Sequence, residues 1–337
     1  MAEQLSTDVA IIGAGPVGLF AVFELGMLKL SSVVVDALTE SGGQCAALYP
    51  DKPIYDIPGH PMIQAGELVA ALERQIAPFH APRLLGRRVE GLSGQSGDFR
   101  LVTDAGDTIR AKAVMVAAGV GAFGPNRPPV DGLAAYEASG AVRYYVRRRE
   151  ELRGKRVVIA GGGDSAVDWA LALQDIARVA VVHRRAKFRA APESAAQLAA
   201  AAARGAIEMV VPYQLHALHG AAGVLAEVEV ATLQGDTRRL PADVLLAFFG
   251  LAMDLGPIAG WGLDLELHHV RVDPATCQTS VPGIFAIGDV VTYPGKLKLI
   301  LQGFSEAAVA AHAAFAVVHP GQALHFEYST TTGVPVV

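Results

Sequence analysis

The chain has 337 residues, 52% of them apolar and 18% charged, with 36 glycines, a formal net charge of −5 and a pI near 6.1. That length suits two compact domains, and the composition excludes a disordered chain in favour of a glycine-rich α/β enzyme. The acidic balance excludes a broad basic surface for nucleic acid; two cysteines without CxxC or Cys/His metal spacing exclude a disulfide framework and offer no metal site.

In chain order, Asp8–Gly13 (DVAIIG) is a continuous apolar run and predicts a strand buried on both faces. Pro16–Leu28 predicts a helix and Ser32–Asp36 (SVVVD) a second, parallel strand, which together make a βαβ unit. The apolar stretch Val9–Phe23 does not read as a signal peptide, because Glu3 and Asp8 precede it and glycines interrupt it. No uninterrupted apolar run reaches the roughly 18 residues of a spanning helix, so a soluble, cytoplasmic protein with no membrane contact is expected. Further on, FRLV (99–102) and TIRA (108–111) predict a small antiparallel meander, and Ala113–Gly119 a separate strand after it. Residues 119–132, rich in Gly and Pro, predict a connector.

A second βαβ unit opens at Lys155 with KRVVIAGGG, a helical DSAVDWALALQDIA and the strand RVAVVHRR. The alanine run Ala195–Ala203 predicts a helix, alanine being the best helix former. A second break at 249–257 precedes VPGIFAIGDV and an alanine-rich helix, Gln302–Val318. The fold expected is α/β, with two Rossmann-like, three-layer ββα nucleotide-binding domains. The second domain, 119–251, is inserted into the first, 1–118 with 252–337.

Gly13-Ala-Gly15-Pro-Val-Gly18 is a full GxGxxG between strand and helix. The first glycine permits the turn, the second lets a diphosphate approach the backbone, and the third lets helix and strand pack closely. The diphosphate then sits on the positive end of the helix. Asp36 ends the second strand, where a carboxylate can accept hydrogen bonds from adenosine ribose hydroxyls. Gly161-Gly-Gly163-Asp164-Ser165-Ala166 is the second fingerprint, in GxGxxA form. At the end of its next strand stand His183, Arg184 and Arg185, followed by Lys187 and Arg189. A carboxylate there would repel a 2′-phosphate, whereas guanidinium groups grip it with charged hydrogen bonds, so this site predicts NADP(H) rather than NAD(H).

GGQ (42–44) with ALYP (47–50), GGGDSAVDWAL (161–171), HRRAKFR (183–189) and GDVVTYPGKLKLI (288–300) together resemble ferredoxin–NADP+ reductase of the thioredoxin-reductase-like type, in order and over nearly the whole chain. The resemblance implies FAD at the first fingerprint, with Asp289 reaching the ribitol chain, Gln44 near the flavin, the Val89 backbone at the adenine, and Phe123 in the connector. It implies Tyr49 stacked on one flavin face as a catalytic group. A C-terminal extension would lay Tyr328 over the other face, with Thr330 as a flavin contact. Such a lid has to move before nicotinamide can meet the flavin. Thr292, Tyr293 and Lys296 fall where the family builds the floor of the flavin site, and no general acid or base is assigned.

Thioredoxin reductases carry CxxC just before the second fingerprint, and the stretch Ser139–Tyr145 here has no cysteine. Glutathione-reductase-like enzymes place two cysteines five apart, and five residues after Cys45 stands Pro50. A disulfide reductase needs a second thiol to resolve its mixed disulfide. Cys45 therefore reads as a small buried packing residue, although pairing with Cys277 stays open. The resemblance implies electron exchange between NADPH and ferredoxin, a homodimer, and a basic face for an acidic partner, with Arg147–Arg149 or Lys296 and Lys298 as its cations. Two alternatives stand beside this. One is a dithiol-free flavin reductase serving flavodoxin or another small acceptor; the other is an NADPH-binding redox sensor without turnover.

Overall fold

Val9, Ala10, Ile11 and Ile12 are all buried, with Val9 and Ile11 in one apolar cluster and Ala10 and Ile12 in another. Successive strand residues point to opposite faces, so a run apolar at every position belongs to a strand covered on both sides. The structure, a computed structural model, describes residues 2–324 and Gly333, with the backbone alone for 122–124 and 251–253. The described chain divides at 123/124 and 252/253 into two units, against 118/119 and 251/252 expected.

In the first unit, β1 (Gln4–Ile12), α1 (Pro16–Met27) and β2 (Ser32–Asp36) form the leading βαβ unit, with Ile12 paired to Val35 in a parallel ladder. α2 (Gly43–Ala47) is a short turn of helix, and α3 (Ala65–Ile76) opens with a capping box between Gln64 and Glu67. β3 (Arg83–Leu85) extends the sheet beyond β2, while β4 (Val89–Gln95) pairs antiparallel with β5 (Asp98–Thr103), which in turn pairs antiparallel with β6 (Thr108–Val116). β6 is one nine-residue strand, not a meander strand followed by another. Its whole length pairs with β1, while Thr108–Ala111 pairs with β5 as well, so one strand joins both ladders.

The second unit is built on a five-stranded parallel sheet. Its strands in chain order are β7 (Val142–Arg143), β8 (Arg156–Gly161), β9 (Arg178–Val182), β10 (Ile207–Val210) and, later, β14 (Val244–Phe248). Two helices connect them, α4 (Asp164–Leu173) and α5 (Pro192–Ala203), the latter containing the alanine run. The other face, with Val158, Ala160, Ala180 and Val182, packs on Leu225, Val228, Val230 and Leu240. Those belong to an antiparallel sheet of β11 (Gln214–Ala221), β12 (Val224–Ala231) and β13 (Thr237–Pro241).

Back in the first unit, β15 (Ile284–Ala286) adds a parallel strand to β6, and α6 (Ile300–Val318) follows. By length and composition α6, at 19 residues, is long and apolar enough to cross a membrane. Here Ala307, Ala310, Ala311 and Ala314 are buried in the cluster that also holds Leu19, Val22 and Leu25 of α1, and Glu306 is buried with them. The second unit thus layers helices, a parallel sheet and a second β layer, the ββα arrangement expected; in the first unit the second β layer is a small sheet of Leu265–Glu266, His269–Arg271 and Val291–Thr292, whose Val270 and Val291 share an apolar cluster with Ala10, Ile12 and Val116.

Candidate active site

The first glycine loop sits where β1 ends and α1 begins. Gly13 has φ +112°, and a Cβ there would stand 2.3 Å from the Ala117 carbonyl oxygen. A Cβ on Gly18 would stand 1.9 Å from the Gly13 carbonyl oxygen, so the start of the helix lies on the end of the strand. A Cβ on Gly15, by contrast, would meet nothing within 4 Å. Gly15 caps α1 without a side-chain hydrogen bond, and the first turn holds no acidic residue. Free N–H groups and the helix dipole therefore face open space, which fits a diphosphate.

Asp36 does more here than a ribose contact requires. Its Oδ2 accepts the Ala14 N–H at 2.5 Å and its Oδ1 the Leu38 N–H at 2.8 Å, so it ties the glycine loop to the end of β2. Burial pushes its pKa up, and the two amides act against that shift. The Arg87 N–H donates to the Asp36 carbonyl at 2.9 Å, which brings the strand beginning at Val89 beside the end of β2.

The GGQ turn closes on the same loop. The Gly42 N–H donates to the Ala14 carbonyl at 2.8 Å, and a Cβ on Gly43 would be 3.0 Å from the Gly15 Cα. The Gln44 amide nitrogen would lie 3.8 Å from a Cβ on Gly119. From α6, Gly303 packs on Val17, and Val17 in turn lies 3.5 Å from the position of a Gly288 Cβ, so the Gly288-Asp289 turn stands over the start of α1. Burial first, with the Asp289 charge acting in the same direction, raises both the Cys45 thiol, to about 11, and the Tyr49 phenol. Cys45, Tyr49 and Asp289 therefore share one neighbourhood. Tyr49 is half-buried, and the Lys52 ammonium lies 5.6 Å from its ring centroid.

The structure thus gathers Gly13, Gly15, Gly18, Asp36, Gln44, Tyr49 and Asp289 around the start of α1. Only the backbone of Phe123 is described, and Tyr328 and Thr330 lie outside the described residues. One expectation needs correction. Lys296 is not a surface cation for docking: its side chain is 5% exposed and ion-paired with the equally buried Glu306 at 2.5 Å. Lys298 and Arg147–Arg149 are exposed.

In the second unit a cavity of about 780 Å³ is lined by Gly161, Gly162, Gly163, His183, Arg184 and Arg189, among others. Gly163 caps α4 without a side-chain hydrogen bond and leaves the N–H groups of that helix open. The loop after β9 is laced back onto the glycines: Arg189 N–H donates to the Gly162 carbonyl at 2.7 Å, and Asp164 Oδ1 accepts the Ala191 N–H at 2.8 Å. Asp164 is thus a latch for the basic loop, while Arg185 and Ser165 are exposed and stand off the cavity lining. Sequence reasoning passed over Gly162. A Cβ there would fall 2.2 Å from His183 Cε1, so the imidazole lies on this glycine and any larger residue has to push the ring aside. The glycines, the open helix end and the two guanidinium groups fit a dinucleotide with a 2′-phosphate.

A further cavity, about 590 Å³, is lined by Asp264, Glu266, Arg271 and Asp273 and lacks a glycine loop or an open helix end.

Residues 7–314 match the family model described as pyridine nucleotide-disulphide oxidoreductase. The chain is 75% identical over 336 residues to a ferredoxin–NADP reductase of Acidiphilium cryptum, covering 99% of both chains. It is 74% identical over 332 residues to a ferredoxin–NADP reductase of Granulibacter bethesdensis, covering 98% of this chain and 95% of that one. Among solved structures, thioredoxin reductase of Lactococcus lactis superposes with a TM-score of 0.81 at 23% identity, over 93% of this chain and 99% of that one. Thioredoxin reductase of T. acidophilum gives a TM-score of 0.81 at 23% identity, over 92% and 98%. Those two likenesses concern the fold alone.

Proposed function

We propose a direct electron route for this protein, from the premise that the chain belongs to the ferredoxin–NADP reductase family, within the pyridine nucleotide-disulphide oxidoreductases. It is an FAD-dependent oxidoreductase that uses NADP(H). In our reading electrons pass between NADPH and ferredoxin with no thiol of the protein between them. When bound, FAD supplies two-electron exchange with a hydride donor and one-electron exchange with an iron–sulfur carrier. The chain supplies binding and orientation. Gly13, Gly15 and Gly18 cradle the FAD diphosphate, Asp36 holds that loop in shape, and Asp289, Gln44 and Tyr49 hold the flavin end. Gly161, Gly163 and the Asp164-latched loop bearing Arg184 and Arg189 hold NADP(H).

The observation that carries the thiol-free route is the state of the two cysteines. Cys45 and Cys277 are 2% and 1% exposed, both inside the apolar core of the first unit. Burial pushes their thiols up to about 11 and about 12. Thiol–disulfide chemistry runs through an accessible thiolate, and neither sulfur is one at neutral pH. The exposed Arg147–Arg149 run supports docking of an acidic ferredoxin. The homodimer belongs to the same reading.

The test is Cys45→Ser/Cys277→Ser, assayed for NADPH-driven reduction of ferredoxin. Turnover within about twofold of the parent is expected. Loss of ferredoxin reduction in a variant that still binds FAD and accepts electrons from NADPH overturns the route.

A further inference from the structure

A buried polar network holds the Gly288-Asp289 turn from behind. Glu306 on α6, with a side chain 4% exposed, uses both carboxylate oxygens. Oε2 accepts the Gly288 N–H at 2.7 Å; Oε1 accepts the Tyr293 hydroxyl at 2.6 Å and the Lys296 ammonium at 2.5 Å. One helical turn earlier, the Gln302 amide donates to the Tyr293 hydroxyl at 2.6 Å and accepts the Leu297 N–H at 3.0 Å. Two side chains of one helix thus clasp the segment 288–297 at both ends. Gly288 has φ +80°, and the turn it makes puts the next residue, Asp289, toward Cys45 and Tyr49.

Stability alone is a poor reason for such a pair. Burying two charges costs about as much as their attraction returns, and an apolar pair of the same volume does as well or better. What an apolar pair cannot do is accept the Gly288 N–H. A glutamine cannot replace the carboxylate fully either: it offers one acceptor oxygen, so its NH₂ faces a donor on one side or the other.

We propose that the Lys296–Glu306 pair is a positioning device for FAD binding, fixing the Gly288-Asp289 backbone so that the Asp289 carboxylate stands beside the start of α1. The proposal rests on the reading of Asp289 as a flavin-site residue. Tyr293 and Lys296 then act through Glu306 rather than as the floor of the site.

Positioning and structural roles separate in the neutral double variant Lys296→Met/Glu306→Leu. Its apoprotein should melt only modestly below the parent: the buried charges leave together, and what is lost is the acceptor of the Gly288 N–H. Its Kd for FAD, titrated by quenching of flavin fluorescence, should still rise on the order of tenfold, with altered visible circular dichroism of the flavin at saturation. FAD binding as tight as the parent's overturns the proposal. Glu306→Gln keeps the shape and serves as the second test: a raised Kd supports positioning, and a Kd within about twofold of the parent overturns it. Asp289→Asn tests the underlying reading separately. If Asp289→Asn weakens FAD binding while the Glu306 variants do not, the positioning claim alone fails. If Asp289→Asn binds FAD as the parent does, the reading and the proposal fail together.

Discussion

Burial, and then the charges of Arg184, Arg185 and Arg189, push the His183 pKa below its ordinary value, so at neutral pH its ring carries no charge. The positive field at the end of β9 therefore comes from the three guanidinium groups and the Lys187 ammonium, and of these four only Arg184 and Arg189 line the cavity beside the glycines. A charge-assisted hydrogen bond contributes about 1.5–3 kcal/mol, so Arg184→Ala should raise the KM for NADPH on the order of tenfold to a hundredfold. The KM for NADH should barely move, and Arg185→Ala should cost far less. Steady-state kinetics with both nucleotides on both variants checks this; equal losses at 184 and 185 would mean that the cavity lining does not select the phosphate. The imidazole has its own task as a flat surface on Gly162, with the Phe188 ring centroid 4.9 Å away.

At the scale of elements, the meander is clamped by one carboxylate. Asp107, in the turn between β5 and β6, accepts the Glu3 N–H at 2.8 Å, the Thr103 hydroxyl at 2.9 Å and Arg87 Nε at 3.1 Å. Led by the Glu3 amide, these partners hold its pKa below the ordinary carboxylate value despite burial. A depressed carboxylate stabilises the fold fully above its unfolded pKa, about 3.9, and that stabilisation is lost as pH falls through the lower folded value. The melting-temperature gap between the parent and Asp107→Asn should thus be full at pH 6 and shrink below about pH 4. A gap constant from pH 6 to pH 3 would count against the clamp. Glycine sets the other element-scale constraint. Gly18→Ala puts a methyl 1.9 Å from the Gly13 carbonyl oxygen and forces α1 off β1, a strain of about 1–3 kcal/mol. Purified Gly18→Ala should melt lower and release FAD; a parental melting temperature with FAD retained would refute the close approach.

The same scale shows what could be read from the sequence and what could not. The loops at 13–18 and 161–166 were legible because their requirements are local: a positive φ, a close approach and an open helix end each call for a small residue at a fixed offset. β6 was misjudged because its apolar residues change from alternating to continuous at Ala113–Val116, where apolar clusters lie on both faces and β15 replaces β5 as its neighbour in the sheet, so one strand looks like two. The sheet of β11–β13 left little trace, since register shifts at 215/217 and 219/220 break its alternation. The Glu306 network left none. A buried glutamate, a buried lysine and a backbone N–H from a turn meet only in three dimensions, and Lys296 looks like any surface cation until its 5% exposure is known.

For the whole molecule, the two units have separate apolar clusters, one set built on β1 and β2, another on β8 and β9. Each glycine loop grows out of its own unit's sheet. A ligand that binds only the native state stabilises it in proportion to RT ln(1 + [L]/Kd), and local opening free energies differ between cooperative segments of one chain. Amide exchange should therefore report the two cofactors separately. Removing FAD should speed exchange in β1, in the Gly42–Gly43 turn and around Gly288-Asp289. Adding NADP+ to the FAD-loaded protein should slow exchange at 161–166 and at Arg184–Ala191, where the latched loop is held by Gly162 and Asp164. Protection by NADP+ spread evenly over β1 and β8 would mean that the units open as one cooperative body. Protection confined to the second unit would show that each fingerprint governs its own sheet, which is the arrangement two separately packed nucleotide sites require.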